Sequence, residues 1–260
     1  MTQRGTVKRF PYIAATFLMA FAIVWAVLGL VQRNAPVSPV AKSRSAVSTP
    51  VQPVALPAAP AGSTLVATVT HRIEAYEMPG HPPTGIIDST WHGAVTALPV
   101  IWAEPGWVYV RLPQRPNEST AWVRDADVTL SSTPYRIIID LQTEHLSLFK
   151  DGQLDFTAPA GVGTAADPTP VGSYFVAFVA APPSAGYGPF VLVSSAHSNA
   201  ISDWESSGDA LMAIHGPLGA DSEIGTTGAH VSHGCVRLHI SDLLRLRVVP
   251  AGTPIDVVAS

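Results

Sequence analysis

The chain has 260 residues, 47% of them hydrophobic and only 13% charged, about half the usual charged share. That length allows one large domain or two small ones beyond any targeting segment, and the formal net charge of −4 gives no basic signal for a nucleic-acid partner. The 24 prolines argue against an all-helical architecture, and the single cysteine excludes a disulfide framework or a zinc finger built from several thiolates.

Residues 1–34 carry Arg4, Lys8, Arg9 and Arg33 and no acid, and Tyr12 to Val31 is an uncharged apolar run of 20 residues. As a helix rising 1.5 Å per residue, it would be about 30 Å long, the thickness of a bilayer core. A signal peptide's apolar region is shorter, and Gln32-Arg33-Asn34 does not resemble its cleavage site. The excess of positive charge before the run predicts an uncleaved single-pass anchor, its N-terminus cytoplasmic and the rest of the chain outside the membrane. Residues 35–62 hold six prolines among Ala, Val and Ser and are expected to form an extended or disordered stalk.

Residues 63–134 contain short runs rich in β-branched and aromatic residues: Leu65–Thr70, Pro99–Trp102, Trp107–Leu112 and Ala121–Val123. Gly, Pro and Asn separate them, which predicts a small all-β barrel or sandwich. Trp91, Trp102, Trp107 and Trp122 are expected in its core, with a peptide-binding groove as the alternative.

Residues 135–260 are again β-rich. Tyr135–Leu141, His145–Lys150 and Gln153–Thr157 predict a meander with Asp151-Gly152 as a hairpin turn, and Gly172–Val179 predicts a further strand. One helix is expected from Ser241-Asp242, carrying Leu243, Leu244 and Leu246 and stopped by Pro250 and Gly252. This part holds 5 basic and 12 acidic side chains, a net of −7, so tethering rather than long-range attraction would bring it to an anionic polymer.

The chemistry gathers near the C-terminus. Ile214-His215-Gly216 is followed, after fifteen further residues, by Ser232-His233-Gly234-Cys235-Val236-Arg237-Leu238. A thiol is a poor nucleophile until it is deprotonated, and a nearby imidazole or cation is the usual means. His215, His230, His233 and His239 all lie within this window, and Arg237 adds a permanent charge. Four potential ligands, His230, His233, Cys235 and His239, also have tolerable spacing for zinc. If the loop leads into a strand, however, their side chains alternate between faces and do not converge. No cofactor is expected.

His-x₁₆-Ser-His-Gly-Cys-Val-Arg resembles the catalytic motif of the YkuD-type L,D-transpeptidases. Gly161-Val-Gly163-Thr164 followed by Thr169-Pro170-Val-Gly172-Ser-Tyr174 is similar to a second element of that family, as is Ile224-Gly225. The resemblance covers about residues 135–258 and implies a mainly β fold with few short helices. The Gly106-Trp107 start and the later Trp122-Val123 strand resemble SH3-like domains appended to cell-wall enzymes. With the anchor, this is similar to the layout of exported actinobacterial members. The chain then divides into anchor (1–34), linker (35–62), SH3-like domain (63–134) and catalytic domain (135–260).

The resemblance implies a cysteine acyltransferase acting on peptidoglycan stem peptides. Cys235 would be the nucleophile and His215 the base, with a backbone carbonyl instead of a carboxylate as the third member. N–H groups around Gly234 and Cys235 would form an oxyanion hole, and Ser232 and His233 would shape the loop by hydrogen bonds. Arg237, Gly216 and Tyr174 are the expected substrate contacts, a structural ion pair from Arg237 to Asp242 or another acid being the alternative. Tyr187 and Trp204 could line the same cleft, although ordinary packing is the commoner role for such rings. Cys235 would displace D-Ala from a tetrapeptide stem, and an amine of a second stem would capture the acyl group, giving a 3→3 cross-link. Members of the family are typically acylated by carbapenems. A hydrolytic member of the family and a non-catalytic wall-binding protein remain as alternatives. Pro217 departs from the small polar residue common after His-Gly.

Overall fold

Period-two alternation of buried and outward side chains organises residues 64–133 into strands, which together with the rest of residues 59–204, 208–226 and 228–259 are described by a computed structural model. The candidate anchor at Tyr12–Val31 and nearly all of the candidate stalk lie outside the described residues. Among the described residues, no helix is long and apolar enough to cross a membrane.

The first strands are β1 (Thr64–Val69), β2 (Ile73–Tyr76), β3 (Pro83–Ile87), β4 (Thr90–Trp91), β5 (Ala94–Val95), β6 (Ala97–Glu104), β7 (Trp107–Arg111), β8 (Thr120–Arg124) and β9 (Val128–Thr133). Apart from the small β4–β5 pair, they form one antiparallel sheet in the order β3-β2-β8-β7-β6-β1-β9. Its core is aliphatic: Val69, Leu98, Val108, Val110 and Val123 are fully buried. Trp91 packs against this core as expected, but the expectation is corrected for Trp102, Trp107 and Trp122. In β7 and β8 the alternation turns Val108, Val110 and Val123 inward, which leaves Trp107 and Trp122 half-buried on the outer face. Trp107 packs there between Tyr76 and the Arg124 guanidinium, and Trp122 lies beside Tyr109. Trp102 is 65% exposed.

The second set comprises β10 (Tyr135–Asp140), β11 (His145–Lys150), β12 (Gln153–Pro159), β13 (Val162–Gly163), β14 (Gly172–Ala180), β15 (Val191–His197), β16 (Leu211–His215), β17 (His230–Ser232), β18 (Val236–Arg237), β19 (Pro254–Val258) and the helix α1 (Ile240–Arg245). Eight strands join in the order β12-β11-β10-β19-β14-β15-β16-β18, while β13 pairs separately with β17. The β10–β11–β12 meander matches the sequence expectation, and its Asp151-Gly152 turn has the two positive φ angles, 51° and 76°, that such a hairpin requires. α1 begins one residue earlier than expected and lays Leu243 into the core, with Leu246 and Val249 following it.

Only Pro134 separates β9 from β10. β14 completes the junction. Its Tyr174 and Val176 belong to the second core, while Phe175 and Ala177 belong to the first. A strand buried on both faces reads as a continuous apolar run, which is how Tyr174–Val179 reads. The Thr133 and Thr253 hydroxyls hydrogen-bond across the same boundary at 3.1 Å.

Candidate active site

β16 delivers His215 at its last position, and β18 starts immediately after Cys235. The two strands pair in parallel, Ile214 with Val236 and His215 with Arg237. This ladder brings residues twenty positions apart in sequence onto one edge, where they line a cleft of about 320 Å³. Cys235, His215, Arg237 and Ser232 all contribute to its wall, joined by Tyr187, Trp204, Met212 and Leu218.

The Ser232–Cys235 loop is held from below by the second glycine-rich element. Gly161 exchanges both backbone hydrogen bonds with Arg237, and the Thr164 N–H donates to the Ser232 carbonyl. The Thr169 hydroxyl accepts from the Gly163 N–H at 2.9 Å and donates to the Gly234 carbonyl at 2.8 Å. One side chain thus latches the two motifs together. Gly234 has φ +113°, and a Cβ there would collide with the Met212 sulfur, so both backbone and space demand glycine. The Ser232 hydroxyl closes the loop by donating to the Cys235 carbonyl and accepting from the Gly234 N–H.

His215 is 2% exposed, and its Nδ1 lies 2.7 Å from the Gly216 carbonyl. Because a carbonyl only accepts, Nδ1 carries the proton and Nε2 keeps its lone pair. The Tyr187 ring packs against the imidazole, centroids 4.6 Å apart. Burial pushes the imidazole pKa down to about 4; the Gly216 bond opposes this shift, and the Arg237 charge adds to it. Burial also raises the Cys235 thiol above its usual value, against smaller lowering effects from the Ala213 backbone and from Arg237. Both shifts favour the neutral thiol and the neutral imidazole. The Arg237 Nε is buried and has no hydrogen-bond partner, and no carboxylate among the described residues forms an ion pair with this guanidinium. The expected alternative of a structural bridge to Asp242 is not what the side chain does.

Several expectations are corrected. Tyr174 does not reach the cleft: it is 3% exposed, packs in the core and donates its hydroxyl to the Val171 carbonyl. The cause is the two-sided burial of β14, which hides the side-chain alternation. Gly216 orients His215 through its carbonyl and takes no place in the cleft wall. A Cβ on it would strike Gly188, Tyr187 and Ile240. His233 makes no hydrogen bond within the loop; it lines the cleft with a largely exposed ring, 3.8 Å from Asp167 and 5.1 Å from the Trp204 ring. The Gly234 N–H is committed to Ser232, which leaves the Cys235 N–H as the donor next to the sulfur. Tyr187 and Trp204, set down to packing first, do line the cleft.

The histidines do not converge. His230 contacts Glu144 and the Gly163 carbonyl, and His239 lies toward Asp221. Among the described residues, no group of three or more His, Cys, Asp or Glu side chains is placed to hold a metal ion. Thr169, Ile201 and Met212 were missed as site residues. Thr169 alone had a sequence signal, standing in a quoted motif without an assigned role.

The L,D-transpeptidase catalytic domain family, YkuD, matches residues 134–257. A YkuD protein of Bacillus licheniformis is 33% identical over 125 residues, spanning 48% of this chain and 66% of that relative. Solved structures with similarity include an L,D-transpeptidase from Mycobacterium smegmatis, at 16% identity, covering 62% of this chain and 82% of that one with a TM-score of 0.39. Another is the L,D-transpeptidase LdtMt1 in complex with imipenem, at 17% identity, covering 75% and 82% with a TM-score of 0.42. Residues 134–257 thus carry a YkuD-type L,D-transpeptidase catalytic domain.

Proposed function

We propose that the chain is a peptidoglycan L,D-transpeptidase in which Cys235 is the nucleophile and His215 the base. The observation that carries this reading is the meeting, in one cleft, of the only thiol, an imidazole held in one tautomer and a guanidinium without a carboxylate partner.

Nε2 of His215 takes the thiol proton as the sulfur attacks the carbonyl between the third residue of a tetrapeptide stem and its terminal D-Ala. The Cys235 N–H faces the developing oxyanion. Collapse breaks the C–N bond, His215 returns the proton to the departing D-Ala amine, and a thioester remains on Cys235. The amine of a second stem then attacks this thioester, gives its proton to His215 and leaves as a 3→3 cross-linked product with the thiol restored. Arg237 holds a carboxylate of the donor stem, as a desolvated guanidinium with spare donors does well. The N-terminal run anchors the chain in the cell membrane with the catalytic domain on the wall side, and residues 63–134 act as its SH3-like companion domain.

The test is intact mass after incubation with a carbapenem, followed by product analysis on disaccharide-tetrapeptides. One covalent adduct on the wild type, none on Cys235→Ala, and cross-linked dimers from the wild type are expected. An adduct that persists in Cys235→Ala would remove the nucleophile assignment. Tripeptides without dimers would replace transfer by hydrolysis.

A further inference from the structure

The cleft wall is not built by the catalytic domain alone. Between β15 and β16 the chain makes an excursion, described at residues 198–204 and 208–210, that carries Ile201 and Trp204 into the cleft. Its base closes through the Ser198 N–H to Ala210 and the Trp204 N–H to Asp209, at 2.8 and 2.9 Å. The Ser198 hydroxyl accepts from the Ala200 and Ile201 N–H groups and Asp203 from the Gly208 N–H, and a further set of fastenings comes from the first domain, from the turn between β7 and β8.

Arg115 spends three donors on the two arms of the excursion. Nε lies 3.1 Å from Asp209 Oδ1 on the returning arm, while Nη1 and Nη2 reach the carbonyls of Ser198 and Ile201 on the outgoing arm, at 3.0 and 3.3 Å. Asn117 pairs with the backbone of His197 in both directions at 2.8 Å, imitating a strand neighbour, and touches the Asn199 side chain at 3.3 Å. Beneath them, His197 Nδ1 lies 2.7 Å from Asp209 Oδ2 with its ring 2% exposed. Burial works against the Asp209 carboxylate, but His197, the Ala210 N–H and Arg115 together hold its pKa below the usual range. The carboxylate that receives Arg115 is therefore ionised at neutral pH. From Trp204 the contact continues to the His233 ring, two residues before the nucleophile.

We infer that Arg115 and Asn117 are positioning residues of the catalytic cleft, through which the first domain fixes the Ile201–Trp204 wall against which the peptide stem lies. A planar fork suits this task, because it ties two arms at fixed separation where a flexible ammonium would hold one. The inference rests on the transpeptidase reading of the cleft. It assigns the first domain a part in substrate fit, separate from any part in binding the wall.

The experiment compares the chain with its Arg115→Ala, Arg115→Lys and Asn117→Ala variants, using Arg136→Ala at an exposed ion pair as the control. Kinetics on a disaccharide-tetrapeptide are read beside alkylation of Cys235 by iodoacetamide, thermal unfolding and amide exchange of residues 198–204. Loss of a wall that contacts bound substrate should raise KM about tenfold in Arg115→Ala and Asn117→Ala, with kcat held within about twofold. Arg115→Lys should recover only part of the loss, alkylation should stay at the wild-type rate, and exchange of residues 198–204 should quicken. Unchanged KM and exchange would overturn the inference. So would a parallel fall of kcat, alkylation and melting temperature, which marks a merely structural contact. A wild-type chain inactive on the tetrapeptide overturns the transpeptidase reading and this inference with it, and that failure is visible before any variant is made.

Discussion

At the scale of single residues, the electrostatics of the cleft set the pH behaviour. A thiol raised by burial and an imidazole lowered to about 4 leave little thiolate at neutral pH. Alkylation of Cys235 by iodoacetamide should therefore climb about tenfold per pH unit towards a midpoint above the ordinary thiol range. A rate already level at pH 6 would reveal a thiolate–imidazolium pair instead. Arg237 lowers both groups, so Arg237→Gln should move both titrations upward, read from the alkylation profile and from the His215 ring resonances. His215 also links pH to stability. Its folded value lies below the 6.5 of a free imidazole, so the unfolded chain binds more protons between about 4 and 6.5. Stability is then complete above that window and is lost on acidification through it, by about 3 kcal/mol. Denaturant midpoints between pH 7 and pH 4 should show this loss, and His215→Gln should flatten it.

At the scale of elements, the loop architecture predicts where small changes are severe. Gly234→Ala adds a Cβ both at a positive φ and onto Met212, and should cost about 3 kcal/mol together with most of the Cys235 reactivity. Thr169→Val keeps the shape but unpairs the Gly163 N–H and the Gly234 carbonyl, at about 2 kcal/mol or more. Thermal unfolding beside alkylation rates checks both. The legibility of elements in the sequence followed the same physics. The β10–β12 meander could be read because Ile137, Ile139, Leu146 and Leu148 alternate with outward residues and Asp-Gly marks the turn. β15 could not, because Val191 to His197 is buried throughout and shows no alternation. The pairings β13–β17 and β16–β18 join two- to five-residue strands far apart in sequence, and such parallel contacts leave no local signal. Cys235 and His215 were legible from their motif alone. Trp204 could only be offered as a possible lining ring and Arg115 not at all, since what matters about them is a partner in another element.

At the scale of the whole molecule, the two hydrophobic cores meet across β14, and the two sheets are joined in sequence by a single residue. Residues 59–260 should unfold in one cooperative transition by calorimetry, not two. Excising everything before Tyr135 would expose Phe175 and Ala177, and burial of the phenylalanine alone contributes about 2 kcal/mol. The fragment 135–260 should melt lower than 59–260 and bind a hydrophobic dye. Two separate transitions, or an equally stable fragment, would show that the junction carries no energy.

The sharing of β14 has a further consequence, for how the chain finds its fold. In most strands a slip by one residue turns apolar side chains to water, and that penalty guards the register. Here the slip would only trade Tyr174 and Val176 for Phe175 and Ala177 between two greasy interiors. Polarity offers no correction. The alignment rests on shape: the close fit of Gly172 under the Tyr174 ring, and the Ser173 N–H and hydroxyl reaching Glu118 and Asp256 on opposite sides. Ser173 is thus the proofreading position of the strand, and its loss would show as a slow, misaligned population during refolding.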